Sequence, residues 1–222
     1  TIGLDPHAGQ IRLIQLAMPG QQPMIVDLFK LPQALQLLAP VFKNEAVKVL
    51  HNAKFDLKFL FKNGVSIKGQ IFDTMLADQL IHTGIKGHSS SLASLSESYL
   101  GQVLPKEEQD SNWAGELTLE QLSYAARDAE VLLPLRQLQR KALQNKDLLK
   151  AAKLEFDCVA AIAQMELNGI RVDANKWRDY CQLIKQNITR YQEKLDRHFA
   201  EWSQQQEKPL NLKSTQQLQL AL

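Results

Sequence analysis

VKVLHNAKFDLKFLFKNG, residues 47–64, changes its pattern halfway along. The first part, VKVLHNA (47–53), is a short run of branched apolar residues and reads as a strand. The second part, KFDLKFLFKN (54–63), repeats its apolar residues at helical spacing and stops at Gly64, a residue suited to closing a helix.

The flanking sequence keeps up the alternation. IRLIQLAM (11–18) and PMIVDL (23–28) are strand-like, and PGQQP (19–23) between them predicts a hairpin. LPQALQLLAPVF (31–42) predicts a helix starting near Pro32, because proline suits a first turn. DTMLADQLI (73–81) predicts another helix, followed by the polar loop HTGIKGHSSS (82–91). SLASLSESYLG (91–101) and LTLEQLSYAARDAEVLLPLRQLQRKALQ (117–144) each read as one more helix. Strands mixed with helices predict an α/β fold rather than a bundle.

From about Leu148 the character changes. Residues 149–169 form one amphipathic pattern closed by Asn168-Gly169, and Asp173 is placed to cap the next helix. There Trp177, Cys181, Ile184, Ile188, Tyr191, Leu195, His198 and Trp202 make a three-four seam. Packing within the same chain is the expected use of that seam, ahead of a dimeric coiled coil. Ser214 and Gln217 are spaced as a capping box for a last helix.

Composition sets the outer limits. The chain has 222 residues, enough for one full domain and part of another. No apolar run approaches the ~18 residues of a membrane span, and the start lacks a secretory pattern, so no membrane is expected. Cys158 and Cys181 fall on apolar helical positions and predict buried thiols rather than a disulfide, which fits a reducing, cytoplasmic setting. Net charge is +2, which neither demands nor excludes nucleic acid. Lys48, Lys54, Lys58, Lys62 and Lys68 surround the single acid Asp56 and read either as a solvated helix face or as a phosphate-facing rim.

Two spacings carry the candidate chemistry. Asn52 and Asp56 are four apart, as are Tyr124 and Asp128, so on a helix each carboxylate has a hydrogen-bonding companion one turn earlier. Apolar residues surround both acids, and carboxylates gathered in a partly dry site repel unless cations neutralise them. Hard cations such as Mg²⁺ take oxygen ligands, and a pair of them can hold both oxygens of a phosphodiester displacement. Two carboxylates alone are too few for two ions.

HNAKFDLKFL, GQIFDTMLADQLI and LTLEQLSYAARDAEVLLPL together resemble the second and third motifs of the DEDD 3′–5′ exonuclease superfamily, in its branch with Tyr-x-x-x-Asp. The resemblance covers roughly Thr1 to Arg140. It implies a ribonuclease H-like mixed β-sheet flanked by helices, followed by an α-helical segment. LPKEEQDSNWAGELTLEQLSYAARDA looks much like ribonuclease D, whereas LEFDCVAAIAQMELNGIRVD and LNLKSTQQLQLAL resemble the opening of a family A polymerase region. The implied organisation is an exonuclease domain at 1–147 and the helical start of a polymerase thumb at 148–222. Thr1-Ile2-Gly3-Leu4-Asp5-Pro6 matches the residues on the C-terminal side of the superfamily's first motif, Asp-x-Glu, placing that strand and its two acids just upstream of Thr1.

By this resemblance the domain binds two divalent ions, Mg²⁺ or Mn²⁺, with Asp128 and Asp56 as ligands and Tyr124 orienting the attacking water. Asn52, Lys54, Lys58 and Asp73 are the implied substrate contacts, although helix capping is the preferred reading of Asp73. Trp113 is expected to pack against the last helix of the domain rather than stack on a base. The implied substrate is a single-stranded or frayed DNA 3′ end, RNA being possible, and the implied protein is a cytoplasmic, nucleoid-associated monomer, organellar in a eukaryote. Without the first-motif acids the chain is expected to cleave little. Ribonuclease D-like RNA trimming and a catalytically inert DNA-binding scaffold are the alternatives.

Overall fold

The computed structural model describes residues 1–104, 111–205, 210–211 and 213–221. Residues 105–110 of the ribonuclease D-like stretch, and 212 and 222 of LNLKSTQQLQLAL, lie outside the described residues. The chain divides into two compact units, Thr1–Gly169 and Ile170–Leu222.

The first unit opens with the predicted hairpin. β1 (Leu13–Leu16) runs antiparallel to β2 (Met24–Asp27), with Leu13 opposite Asp27 and Leu16 opposite Met24. The single helix expected next is two short turns, α1 (Ala34–Leu37) and α2 (Ala39–Lys43). Pro40 accounts for the break, since it has no N–H for the Gln36 carbonyl and its ring crowds that oxygen.

β3 (Lys48–Leu50) leads into α3 (Ala53–Lys62), which crosses over to β4 (Ile71–Asp73). β3 and β4 are parallel, with Lys48 opposite Ile71 and Leu50 opposite Asp73, as a helical crossover permits. The sequence does not announce β4, because three residues are too few to display a period. Five helices complete the unit: α4 (Thr74–Ile81), α5 (Leu92–Leu100), α6 (Leu119–Glu130), α7 (Leu132–Asn145) and α8 (Leu149–Asn168). α6 and α7 were expected as one helix. Pro134 denies the Glu130 carbonyl its partner, and the chain turns at Val131.

α3 sits between two cores. On one side Ala53 and Leu57 pack with Ile71, Val159 and Ala163, from β4 and α8. On the other, Leu60 joins Ile14, Leu28 and Phe42 beneath the hairpin. A third cluster, including Phe72, Ala77, Leu143 and Phe156, ties β4 and α4 to α7 and α8. α8 thus supplies core residues to the first unit. The first compact unit therefore runs on to Gly169, past the change in sequence character at Leu148, because the apolar face of α8 is buried in it.

The second unit holds α9 (Ala174–His198), α10 (Ala200–Gln205) and α11 (Thr215–Ala221). Asp173 caps α9 as predicted, accepting from the Asn175 and Lys176 N–H groups. Half of the predicted box at α11 forms: Ser214 Oγ accepts from Gln217 N–H, but the Gln217 side chain accepts from Asn211 instead. α9 contains no buried residue, with Trp177 60% and Ile188 61% exposed, so the packing expected for its seam is absent among the described residues.

Both cysteines are free thiols, and both are half-buried rather than buried. Among the described residues, no helix is long and apolar enough to cross a membrane.

Candidate active site

The turn from β3 into α3 is set by Asp73, across the parallel pair. Its buried carboxylate accepts from Asn52 N–H (3.1 Å) and Ala53 N–H (2.7 Å) at the start of α3. It also accepts from Met75 N–H (2.8 Å) and Leu76 N–H (3.2 Å) at the start of α4. One side chain therefore caps two helices, satisfying donors that neither helix can satisfy itself. At 1% exposure, and with four backbone donors, Asp73 has nothing left to offer a substrate. The preferred capping reading of Asp73 is the one that forms, in place of the implied substrate contact.

Asn52 is not the helical companion of Asp56 that its spacing implied. It precedes α3 in the left-handed region (φ 56°), a conformation asparagine tolerates better than most residues. It is therefore not one turn above Asp56 on a shared helix face. Counting four residues back assumed a helix that starts only at Ala53.

Asp56 lies in the first turn of α3 and is partly buried. Burial pushes its carboxyl up to about 7, and the Asp73 charge pushes it the same way. Tyr124 and Asp128 do share one face of α6, as their spacing predicts. The start of α6 is fixed by a capping box in which Thr118 and Gln121 bond reciprocally. Buried Gln121 also donates to Ser111 Oγ (2.8 Å) and the Asn112 carbonyl (3.3 Å), anchoring the segment that carries Trp113. The Trp113 and Tyr124 rings lie 6.2 Å apart.

Tyr124 and Asp128 act on one another's ionisation across one turn of α6. Burial pushes Asp128 up to about 6, and Tyr124 only partly offsets it. Burial, followed by the Asp128 charge, pushes Tyr124 up to about 12, so its hydroxyl stays protonated at neutral pH. Both residues line a cavity of about 200 Å³, with Trp113 and Thr1 on its wall. Asp56 is not among the residues that line this cavity.

Sequence reasoning missed Arg12 and Gln15, which line the same cavity beside β1. Arg12 is buried, ion-paired with Asp27 at 2.9 Å, and its guanidinium lies 4.4 Å from the Phe29 ring centre. The one signal for it in the sequence was a lone arginine entering an apolar strand. Lys54 and Lys58, read as phosphate contacts, both bond Glu166 on α8, at 2.7 and 2.9 Å. Lys48 and Lys62 bond backbone carbonyls, so four of the five clustered lysines have partners within the chain.

A model of the 3′–5′ exonuclease family matches residues 1–144. The chain belongs to that family. A DNA polymerase I from Aquifex aeolicus is 34% identical over 188 residues, covering 75% of the chain and 31% of the relative. A ribonuclease D from a Shewanella species is 30% identical over 144 residues, covering 64% and 36%. The chain therefore spans about a third of the length of these curated relatives. Among solved structures, NrnC of Brucella melitensis with bound Mg²⁺ superposes with a TM-score of 0.66 over 78% of the chain and 86% of that protein. At 24% identity this shows a shared fold. The exonuclease has the ribonuclease H-like α/β fold expected of it, built from two small sheets among helices.

The donor set of the exonuclease site can be tested against a divalent cation. Asp56 and Asp128 offer oxygen ligands only, and burial has made ionising each of them costly. A hard cation removes that cost, so the residues fit one. They remain too few to hold a pair unaided.

Proposed function

We propose that this domain removes nucleoside monophosphates from the 3′ end of DNA, as the proofreading part of a polymerase I-like protein. The observation that carries the reading is the Tyr124–Asp128 pair, four residues apart on α6 and lining one cavity, with both groups pushed up by burial. The relationship to DNA polymerase I continues past residue 144, across 75% of the chain, and so supports residues 148–222 as the start of a polymerase region.

In this reading Asp128 and Asp56 hold divalent cations, Mg²⁺ or Mn²⁺, together with first-motif acids placed just upstream of Thr1. Bound there, the cations would lower the pKa of water and stabilise charge on the scissile phosphate. The Tyr124 hydroxyl, protonated at neutral pH, orients the attacking water rather than removing its proton. The water oxygen bonds to phosphorus and the P–O3′ bond breaks; the water gives up a proton to solvent and the departing O3′ takes one from solvent, giving a 5′-monophosphate and a strand ending in a new 3′-hydroxyl. Trp113 packs beside Tyr124 and forms part of the cavity wall that the terminal nucleotide would meet. The domain works as a monomer in the cytoplasm, at the nucleoid.

Similarity to ribonuclease D over 144 residues favours a second reading, RNA 3′ trimming, at the same site. The chain extended upstream through the first motif, given 5′-labelled DNA and RNA with Mg²⁺, separates the two. Stepwise shortening of DNA that Asp128→Ala abolishes is the expected result. Preferential shortening of RNA would favour the second reading, and an Asp128→Ala variant as fast as the parent would overturn the site. Residues 1–222 without the extension are expected to be nearly inactive.

A further inference from the structure

The C-terminal end of α4 carries a cluster that the nuclease chemistry does not use. Asp78 is fully buried one turn before His82. Its Oδ2 lies 2.6 Å from His88 Nε2 and accepts from Ser90 Oγ at 2.7 Å. Its Oδ1 accepts from the Tyr99 hydroxyl at 3.0 Å and lies 3.0 Å from His82 Nδ1. His82 Nδ1 is also 3.2 Å from the Asp78 carbonyl. The two imidazoles stack with centres 4.0 Å apart and planes 27° apart. Gly84 and Gly87 are left-handed (φ 87° and 76°), which lets the loop turn back and bring His88 to α4.

We propose that Asp78, His82 and His88 bind one transition-metal cation of the zinc class, at a site separate from Asp56 and Asp128. One ligand atom from each of the three lies within 4.8 Å of the others. A tetrahedral zinc site with bonds of ~2.0–2.1 Å spaces its ligand atoms ~3.3 Å apart, which small side-chain shifts reach from here. Two imidazole nitrogens and one carboxylate oxygen suit zinc-class ions, whereas Mg²⁺ and Ca²⁺ take oxygen ligands.

The surroundings are also those of a ligand set. Ser90 and Tyr99 hold the carboxylate from outside, as outer partners orient metal ligands. The His82 and His88 side chains are 29% and 27% exposed, leaving an entry path and a fourth position for water. A bound cation would fasten loop 82–91 to α4 and, through Tyr99, to α5. Its role is to brace the domain rather than to cleave.

The test uses the 222-residue chain stripped with a chelator, then titrated with Zn²⁺ and separately with Co²⁺, in excess Mg²⁺ to occupy oxygen-only sites. One Zn²⁺ per chain, the visible absorption of histidine-ligated cobalt and a raised melting midpoint are expected. His82→Gln and His88→Gln should each weaken binding by at least ~10-fold. Glutamine keeps an N–H for Asp78, and circular dichroism verifies that both variants fold. Asp128→Asn and His198→Gln should bind as tightly as the parent. No zinc binding by the folded parent, or binding that both histidine variants retain, would overturn the proposal. Loss in Asp128→Asn instead would move the ion to the nuclease site and equally overturn it.

Discussion

Replacing Asp128 with asparagine should make the metal-free domain more stable at pH 8 while removing its chemistry. Burial raises this carboxyl to about 6 in the folded chain, against ~3.9 when it is unfolded and solvated. Each tenfold change in proton affinity corresponds to about 1.36 kcal/mol, so ionised Asp128 costs the folded state on the order of 3 kcal/mol. Because the folded state binds the proton more tightly, stability falls as pH rises from about 4 through 6 and levels off above that. Asparagine does not titrate.

The assay is urea unfolding in chelator at pH 4 and pH 8, followed by the fluorescence of Trp113 beside Tyr124. Trp177 and Trp202 belong to the second unit and are first changed to phenylalanine. Parent and Asp128→Asn should unfold at similar urea concentrations at pH 4. At pH 8 the variant should hold to higher urea, by a margin of up to about 3 kcal/mol. Asp56, raised to about 7, leaves the variant a residual pH dependence of the same sign. Mg²⁺ should then stabilise the parent and not the variant. A variant less stable than the parent at pH 8 in chelator would refute the claim that ionised Asp128 is a net cost to the folded state.

Asp73→Ala leaves four backbone donors at two helix starts without their acceptor, and should cost about 3 kcal/mol in urea unfolding. Asp73→Asn, which keeps one acceptor oxygen, should recover part of that loss. Leu57→Ala empties a fully buried position between α3, β4 and α8 and should cost about 2–5 kcal/mol by the same assay. Glu166→Gln releases Lys54 and Lys58 and should tighten single-stranded DNA binding at low salt. The salt slope should steepen by up to about 1.4, two phosphates at ~0.7 each. An unchanged slope would show that neither lysine reaches the strand.

Local patterns in this chain were legible where local energetics decide the structure. The β3-to-α3 switch, the hairpin and the Tyr124–Asp128 face each follow from side-chain period or helical spacing. The illegible parts depend on distant partners. β4 is a strand because Lys48–Leu50 offers it a parallel edge, not because IFD declares one. α8 joins the first unit because Val159 and Ala163 fit against Ala53 and Leu57, although its sequence resembles the opening of a polymerase region. Asn52 looked helical by counting, yet Asp73, 21 residues away, pins its N–H in a left-handed turn.

The aspartates bear out the same point at the level of chemistry. Asp56, Asp73, Asp78 and Asp128 are one letter in the sequence and occupy three electrostatic situations in the fold. Asp73 spends its oxygens on four backbone N–H groups and becomes architecture. Burial alone would raise Asp78, but Ser90, His88 and Tyr99 bring it below the usual carboxylate range, leaving it ionised at neutral pH. Asp56 and Asp128 are partly buried without comparable donors, and both are raised. A cation relieves most where protein donors supply least, so Asp56 and Asp128 are where a hard ion gains most from the carboxylates themselves. At Asp78 a metal must displace hydrogen bonds already made, and any preference there has to come from the imidazole nitrogens of His82 and His88. Mg²⁺ and Zn²⁺ should therefore partition between the two sites rather than compete for one.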